Sequence, residues 1–600
     1  MKFEFGKKPG RTDWQQVVNH WAEQEGQPKK PAKNGELWAF LITLLFALLF
    51  FFTALPAINL QAYEFYVYIG IVLMVWTLLR VPLVLRNKWR TAMAGGEGKG
   101  VRRMAPLLFP MYLLAALIVI GGLGTLISAP LFRSAAYREL LEVGTGEFTQ
   151  DVSQISYDKI PLLDRASAQK LGDRKLGELA DMVSQFEVSD LYTQINYRGR
   201  PVRVTPLLYG DPFKWFNNRQ QGLPAYLIID MISQEVDVVR LTDYGQSKAD
   251  IDAGGGMLYS ESEPFFRNVR RALRIRYPTF MFEQITFELD EQGIPYWVAS
   301  RSVRRIGLFG GTDITGVVLL NAVTGEHRYI EAGEVPRWVD NVYSPLLLMH
   351  QFDYYGRYRN GFWNAQFGQR DVVMTTEGYN YIAMNDDVYM YTGVTSVGRD
   401  ESNTGFILSN QRTKETKYYL IPGAEEYSAQ DSAEGIVQHL GYKATFPLLL
   451  NIGNQPTYVL ALKDNAELVK NYAMVNYSRY NLVANGASIY ECERNYLKLL
   501  QENGLYESDL PLPEETPEAE LEQAVAAGVI EEIRTAVIEG TSRYFLRLSG
   551  DAHIFVVSAA RNPYVVLLEP GTEVELRYLL PEGDAGEGMV EVVSVETVSG

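Results

Sequence analysis

The sequence predicts a membrane-anchored α+β protein, with three N-terminal transmembrane helices, tandem helix-plus-antiparallel-sheet modules and a small C-terminal β-barrel. Three observations carry this. Residues 37–58, 63–85 and 107–132 are apolar segments long enough to cross a bilayer. Three windows, 226–241, 317–332 and 406–421, align without gaps, and each reads as a hairpin. After an acidic, proline-rich stretch, five short segments read as the strands of a barrel resembling an OB-fold, with an SH3-like barrel as the alternative.

Residues 1–36 form a polar cytoplasmic segment. Within it, Trp14, Val17, Val18 and Trp21 recur at helical spacing behind Asp13, a plausible N-cap. That helix reads as amphipathic, lying on the inner leaflet or docking a cytoplasmic partner. The transmembrane region, 37–132, opens with a nearly uncharged span. The second span carries Arg80, close enough to Arg86 to snorkel toward the headgroups. The third ends in small residues, Gly121, Gly124, Thr125 and Ser128, which permit close helix packing within the bundle or between copies of the chain.

Seven Lys and Arg precede the first span, and Arg86, Lys88, Arg90, Lys99, Arg102 and Arg103 follow the second, whereas residues 59–62 contain none. The positive-inside rule therefore puts the N-terminus in the cytoplasm and everything after about residue 132 outside the cytoplasmic membrane. The glycines of residues 94–100 lack the spacing of a phosphate loop and read as a connector. No short apolar core near Met1 suggests a cleavable signal.

Residues 1–103 carry 14 Lys and Arg against 7 Asp and Glu, a net of +7; the chain total of -16 leaves -23 for the remainder. An exported part this acidic argues against nucleic acid as a partner. One cysteine, Cys492, excludes a framework of intramolecular disulfides, so stability rests on hydrophobic cores.

Residues 133–190 read as a helical connector, with helices at 134–142 and within 164–186. Each repeat window then has an apolar run ending in Asp230, Asn321 or Asn410, and a glutamate five residues on, Glu235, Glu326 or Glu415. Such an Asp or Asn closes a turn by bonding nearby backbone. Helices at 175–186 and 264–276 precede the first two units. The modules are placed at 191–260, 261–335 and 336–425, with a divergent fourth at 426–506. Residues 507–528 are an acidic Pro-rich linker and short helix, and residues 529–600 the barrel. The barrel lacks a basic, aromatic-studded face, which favours a structural or protein-docking role.

The order helix, hairpin, then a strand ending in Ala322, Thr324, Gly325 and Glu326 resembles PepSY-type modules, best over residues 262–332. The other windows lack Thr-Gly-Glu. The resemblance implies small α+β domains outside the bacterial cytoplasmic membrane, acting in regulation or interaction and sometimes suggested to inhibit peptidases.

Chemistry-bearing motifs are few. The five histidines, at 20, 327, 350, 439 and 553, are not paired at metal-ligand spacing, no nucleophile elbow is present, and Cys492 has no neighbouring histidine. Two features stand out. Asp250, Asp252 and Glu261 fall at the first, third and twelfth positions of a calcium-type loop, with Gly255 at the sixth; the competing reading is a glycine-rich loop whose acids cap the next helix. On that helix Arg267, Arg270, Arg271 and Arg274 form one basic stripe. It suits an anionic envelope polymer, lipid headgroups or an acidic protein surface, or else pairs with carboxylates of adjoining modules. The expected function is a non-catalytic scaffold or accessory subunit of a bacterial cell-envelope assembly with envelope-protein partners and no resident cofactor. The alternative is a regulator of an envelope peptidase or cell-wall hydrolase.

Overall fold

Four times along the chain a helix leads into an antiparallel meander of four strands. Arg165–Gly177 precedes Thr193–Tyr197, Arg200–Tyr209, Ala225–Asp230 and Val236–Arg240. Val269–Arg276 precedes Met281–Leu289, Pro295–Ile306, Gly310–Asn321 and His327–Glu331. Pro345–Arg357 precedes Asn380–Met384, Asp387–Ser396, Ser402–Asn410 and Thr416–Tyr419. Glu426–Ile436 precedes Leu448–Ile452, Gln455–Lys463, Val469–Asn476 and Val483–Gly486. These form the first to fourth sheets. The computed structural model describes residues 33–93, 105–152, 160–161, 163–241, 255–384, 387–397, 402–506, 523–538, 541–551, 553–558, 562–579 and 589–597. Asp250, Asp252, the helical candidate at 13–25 and the loop at 94–100 lie outside them.

One turn closes the last hairpin of the first three sheets. The side-chain oxygens of Asp230, Asn321 and Asn410 each accept the backbone N–H groups two and three residues on, at 2.8–3.0 Å. Their own N–H groups donate to the carbonyls of Glu235, Glu326 and Glu415. The residue before each glutamate is left-handed, with φ of 63° at Gln234, 77° at Gly325 and 70° at Lys414. The preceding hydroxyls of Ser233, Thr324 and Thr413 accept the glutamate N–H. Thr-Gly-Glu therefore has geometric counterparts in Ser-Gln-Glu and Thr-Lys-Glu. Glycine is required only in the second sheet, where a Cβ on Gly325 would stand 2.1 Å from the Tyr259 ring.

The fourth sheet repeats the device at Asn476, which accepts from Ser478 and Arg479 N–H. Its own N–H reaches the Leu482 carbonyl, a loop one residue longer that an ungapped alignment misses. Replacing Asn321 with Ala is expected to cost on the order of 1–2 kcal/mol, since two N–H groups lose their acceptor. The shift in denaturant midpoint measures this.

The meanders share cores. One core joins the first and second sheets through Tyr226, Phe287, Trp297, Val318 and Leu320. Another takes the opposite face of the second sheet, Val298, Val317 and Leu319, against Leu348 and Phe352 of the third helix and Met390 and Ile407 of the third sheet. Alternate residues of the second sheet thus enter two cores, which is why 317–320 reads as an unbroken apolar run. Residues 1–506 form one compact unit for the same reason.

Several boundaries differ from the sequence reading. The first apolar helix, Lys33–Ala54, ends before Pro56, with Leu55 left-handed at φ 50°. The third, Ala105–Ser128, stops at extended Ala129 ahead of Pro130, and a new helix, Pro130–Arg138, follows. The connector is not wholly helical. Val143–Thr145 pairs in parallel with Thr416–Tyr419, and Phe186–Val188 joins the first sheet. The helix expected at 175–186 ends at Gly177. The helix Pro345–Arg357 opens on a Ser344-Pro345 cap signature, in which Ser344 accepts Leu347 N–H.

Residues 507–600 form the second unit, whose five strands close into a barrel. The order around it is Gln523–Ile538, Thr541–Leu548, Ile554–Ser558, Met589–Thr597 and Glu573–Leu579. Only Ile554–Ser558 and Met589–Thr597 run parallel. Leu546, Phe555, Val557, Val574 and Leu576 fill its core. Within the stretch 507–528, where a linker and short helix are expected, the described residues 523–528 are strand, because pairing with Glu573–Leu579 overrides the helical preference of the alanines.

Candidate functional site: the junction of the apolar helices and the second sheet

Among the described residues three helices are long and apolar enough to cross a membrane, over Gly35–Ala54, Tyr63–Leu83 and Phe109–Ser128. A helix C-terminus leaves carbonyls without partners and a partial negative charge. At the end of the first helix the arginine stripe supplies both missing components. Arg271 Nε donates to the Phe52 carbonyl at 3.1 Å, and its guanidinium lies 4.6 Å from the Phe52 ring centre. Arg274 Nε donates to the Leu55 carbonyl at 2.9 Å and Nη1 to the Phe280 carbonyl. Its side chain is 9% exposed and stands 3.7 Å from Glu64. Burial pulls the Arg274 pKa below the usual guanidinium range, with Glu64 opposing the shift.

The loop after the first helix is stitched to the same sheet. Ile58 N–H donates to the Pro278 carbonyl at 2.7 Å, and Asn59 Nδ2 to the Thr279 carbonyl at 2.9 Å. The Gln61 amide exchanges two hydrogen bonds with the Arg304 backbone. The second and third helices receive the hairpin tip between Pro295–Ile306 and Gly310–Asn321. The Phe309 ring stacks on Tyr63 at 4.2 Å and meets Tyr66 edge-on at 5.4 Å. The Ser128 hydroxyl accepts both Leu308 and Phe309 N–H, at 2.9 and 3.0 Å, while donating to the Gly124 carbonyl. These connections join residues some 180 to 246 positions apart in sequence, so no local pattern announces them.

The predicted residues divide accordingly. Arg271 and Arg274 are committed to the first helix, so the four arginines do not form one open anion-binding face. Arg267 and Arg270 are exposed; Arg267 donates to the Arg219 carbonyl, and Arg270 lies 3.8 Å from Glu261. Glu261, the one described member of the calcium-loop trio, thus faces a cation, and burial raises its pKa against the opposing effect of Arg270. Among the described residues no group of three or more His, Cys, Asp or Glu is arranged to hold a metal. Cys492 is buried with its thiol against the Ala484 carbonyl, and burial pushes the thiol pKa up.

Of the small residues at the end of the third helix, Gly124 meets the hairpin tip within the chain. A Cβ on Gly124 would lie 2.7 Å from Leu308 and 2.8 Å from Phe309, whereas Gly121 and Gly122 have nothing within 4 Å. Thr125 bonds back to the Gly121 carbonyl and is exposed. Gly124→Leu is expected to displace the hairpin tip and cost roughly 1–3 kcal/mol, while Gly121→Leu stays near neutral. Detergent melting curves of the two variants give the comparison; equal losses would refute the assignment.

The Arg80 guanidinium pairs with Glu36, in the first turn of the first apolar helix, at 3.3 Å and lies 5.1 Å from the Trp76 ring centre.

No family model matches the chain, and no curated protein matches it. Among solved structures, a levansucrase complexed with sucrose aligns at 10% identity over 74% of this chain and 92% of that one, with a TM-score of 0.17. Overlap that low carries no argument about fold or activity.

Proposed function

We propose that the protein is a membrane-anchored scaffold or accessory subunit of a bacterial cell-envelope assembly, holding its exported sheets in a fixed orientation on the outer ends of its spans. The observation that carries this reading is the junction itself. Arg271, Arg274, Gln61, Phe309 and Ser128 tie one sheet to all three helices. A flexible tether needs none of these bonds, whereas a part that must present surfaces at set heights and angles does. The charge asymmetry across the spans supports an inside N-terminus and an outside body.

The resemblance of residues 262–332 to PepSY-type modules is consistent with interaction rather than turnover. The strand order of the barrel supports an OB-like reading of residues 529–600. Envelope proteins are the partners this reading favours.

Orientation is tested by cysteine labelling. A cysteine replacing exposed Tyr480 should react with a membrane-impermeant maleimide in intact cells, over a low background from buried Cys492. Labelling only after lysis would reverse the orientation. Function is tested by mild-detergent isolation of the full-length chain with mass spectrometry of its companions. A reproducible envelope-protein set supports the scaffold; a companion hydrolase whose activity falls on binding would favour a regulator instead. Isolation alone, with catalytic turnover, overturns both.

A further inference from the structure

Arg203 is a buried cation that makes no ion pair among the described residues. It sits on Arg200–Tyr209, is 7% exposed, and donates from Nε to the Leu163 carbonyl at 3.3 Å. Among the described residues no carboxylate lies within 4 Å of it, and its Nη groups have no hydrogen-bond acceptor. Asp164, the nearest candidate, is already bound to Lys463 at 2.7 Å and to Ser167 N–H at 2.8 Å. Buried charges are ordinarily paired, because desolvating an unpaired one is costly. Burial accordingly pulls the Arg203 pKa down.

Arg203 lines a cavity of about 320 Å³ formed where the first, third and fourth sheets meet. Exposed Arg165, which also donates to the Asp190 carbonyl, adds a second guanidinium to its lining; Asp164 also lines it, its carboxylate paired with Lys463; and Tyr379, Tyr381 and Phe446 supply aromatic wall. The Tyr379 and Tyr381 rings meet edge-on at 5.5 Å. A volume of this size, with a few charged groups set among aromatic ones, is that of a small-molecule site.

We propose that this cleft binds a small ligand through an oxyanion, carboxylate or phosphate, held on the guanidinium of Arg203 and assisted by Arg165, with the body of the ligand against Tyr379, Tyr381 and Phe446. A guanidinium fork is the group that matches either oxyanion in two-point fashion. The site lies away from the helix junction, and its chemistry does not depend on the scaffold reading.

The test is titration of the full-length protein in detergent with inorganic phosphate and, separately, acetate, followed by calorimetry and by thermal melting. Saturable binding of at least one probe is expected. Arg203→Met should weaken it at least tenfold, and Arg165→Gln at least threefold. A preference for phosphate assigns a phosphate-bearing ligand, and a preference for acetate a carboxylate. Without probe, Arg203→Met should melt no lower than the parent, since it removes an unpaired charge, whereas a purely structural arginine would leave a less stable protein. No saturable binding of either probe by the parent overturns the proposal, as does equal binding by Arg203→Met. Should Arg203→Met fail to fold, unchanged binding by Arg165→Gln, at an exposed position, overturns it.

Discussion

Replacing Arg274 with Ala is expected to loosen the exported body from the apolar helices, at a cost of roughly 3–5 kcal/mol. Two half-buried carbonyls, of Leu55 and Phe280, lose their charged donor, and hydrogen bonds to charged groups are each worth about 1.5–3 kcal/mol. The contact with Glu64 adds little, because that carboxylate is 55% exposed and largely screened by solvent. Arg274→Lys should not rescue, since a single ammonium cannot serve two carbonyls with the geometry of a planar fork. Hydrogen exchange gives the local readout. Ile58 N–H, bonded to Pro278, should exchange at least tenfold faster in the variant, while Tyr226 in the distant shared core should stay protected. Equal protection of Ile58 in both proteins would show that the arginine does not hold the joint.

The second large effect concerns Glu426, wholly buried where the third and fourth sheets meet. One carboxyl oxygen accepts the Tyr391 hydroxyl at 3.0 Å and Gly393 N–H at 2.7 Å, and the other lies 3.4 Å from the Asn403 amide. The Tyr391 hydroxyl also lies 3.1 Å from that of Tyr458, which donates to the Ala424 carbonyl. Burial raises the Glu426 pKa, and the hydrogen bonds from its own backbone, Tyr391, Asn403 and Thr376 only partly oppose it. A carboxyl whose folded pKa exceeds its unfolded value takes up a proton on folding. Its favourable contribution is therefore full below about pH 4.5, the ordinary value, and is lost as pH rises through the folded value. Glu283, Glu288 and Asp353 are shifted the same way by burial, so the slope of the parent alone would not isolate Glu426.

The difference between parent and Glu426→Gln does isolate it. The amide should equal or exceed the parent in stability at pH 8 and lose that advantage at pH 4. Glu426→Ala should lose roughly 3 kcal/mol or more at both pH values, because it strands buried donors. Denaturant midpoints of the three proteins across pH 4 to 8 decide the matter; parallel curves for parent and amide would mean Glu426 is ionised in the fold.

What the sequence determined by itself is what short-range chemistry dictates. Apolar length gave the three helices, and Pro56 and Pro130 ended two of them. Asp230, Asn321 and Asn410 closed their turns with donors two and three residues away, so the hairpins were legible from spacing alone. Period-two alternation found the barrel strands but not the start of the first, where alanines mimic a helix until a partner strand is present.

What only the tertiary structure decided is which surfaces meet. The arginine stripe looked like a face awaiting an anion, yet two of its members cap a helix 219 residues earlier in the chain. Gly124 looked like a helix-packing residue, and its neighbour is a hairpin tip. Arg203 is silent in the sequence, because one arginine in a strand reveals neither its burial nor what surrounds its guanidinium. Sequence spacing fixes geometry over one turn or one hairpin. The partner of a buried charge is fixed by packing between segments hundreds of residues apart, where the cost of leaving a donor or a carbonyl unpaired selects among arrangements that look alike locally.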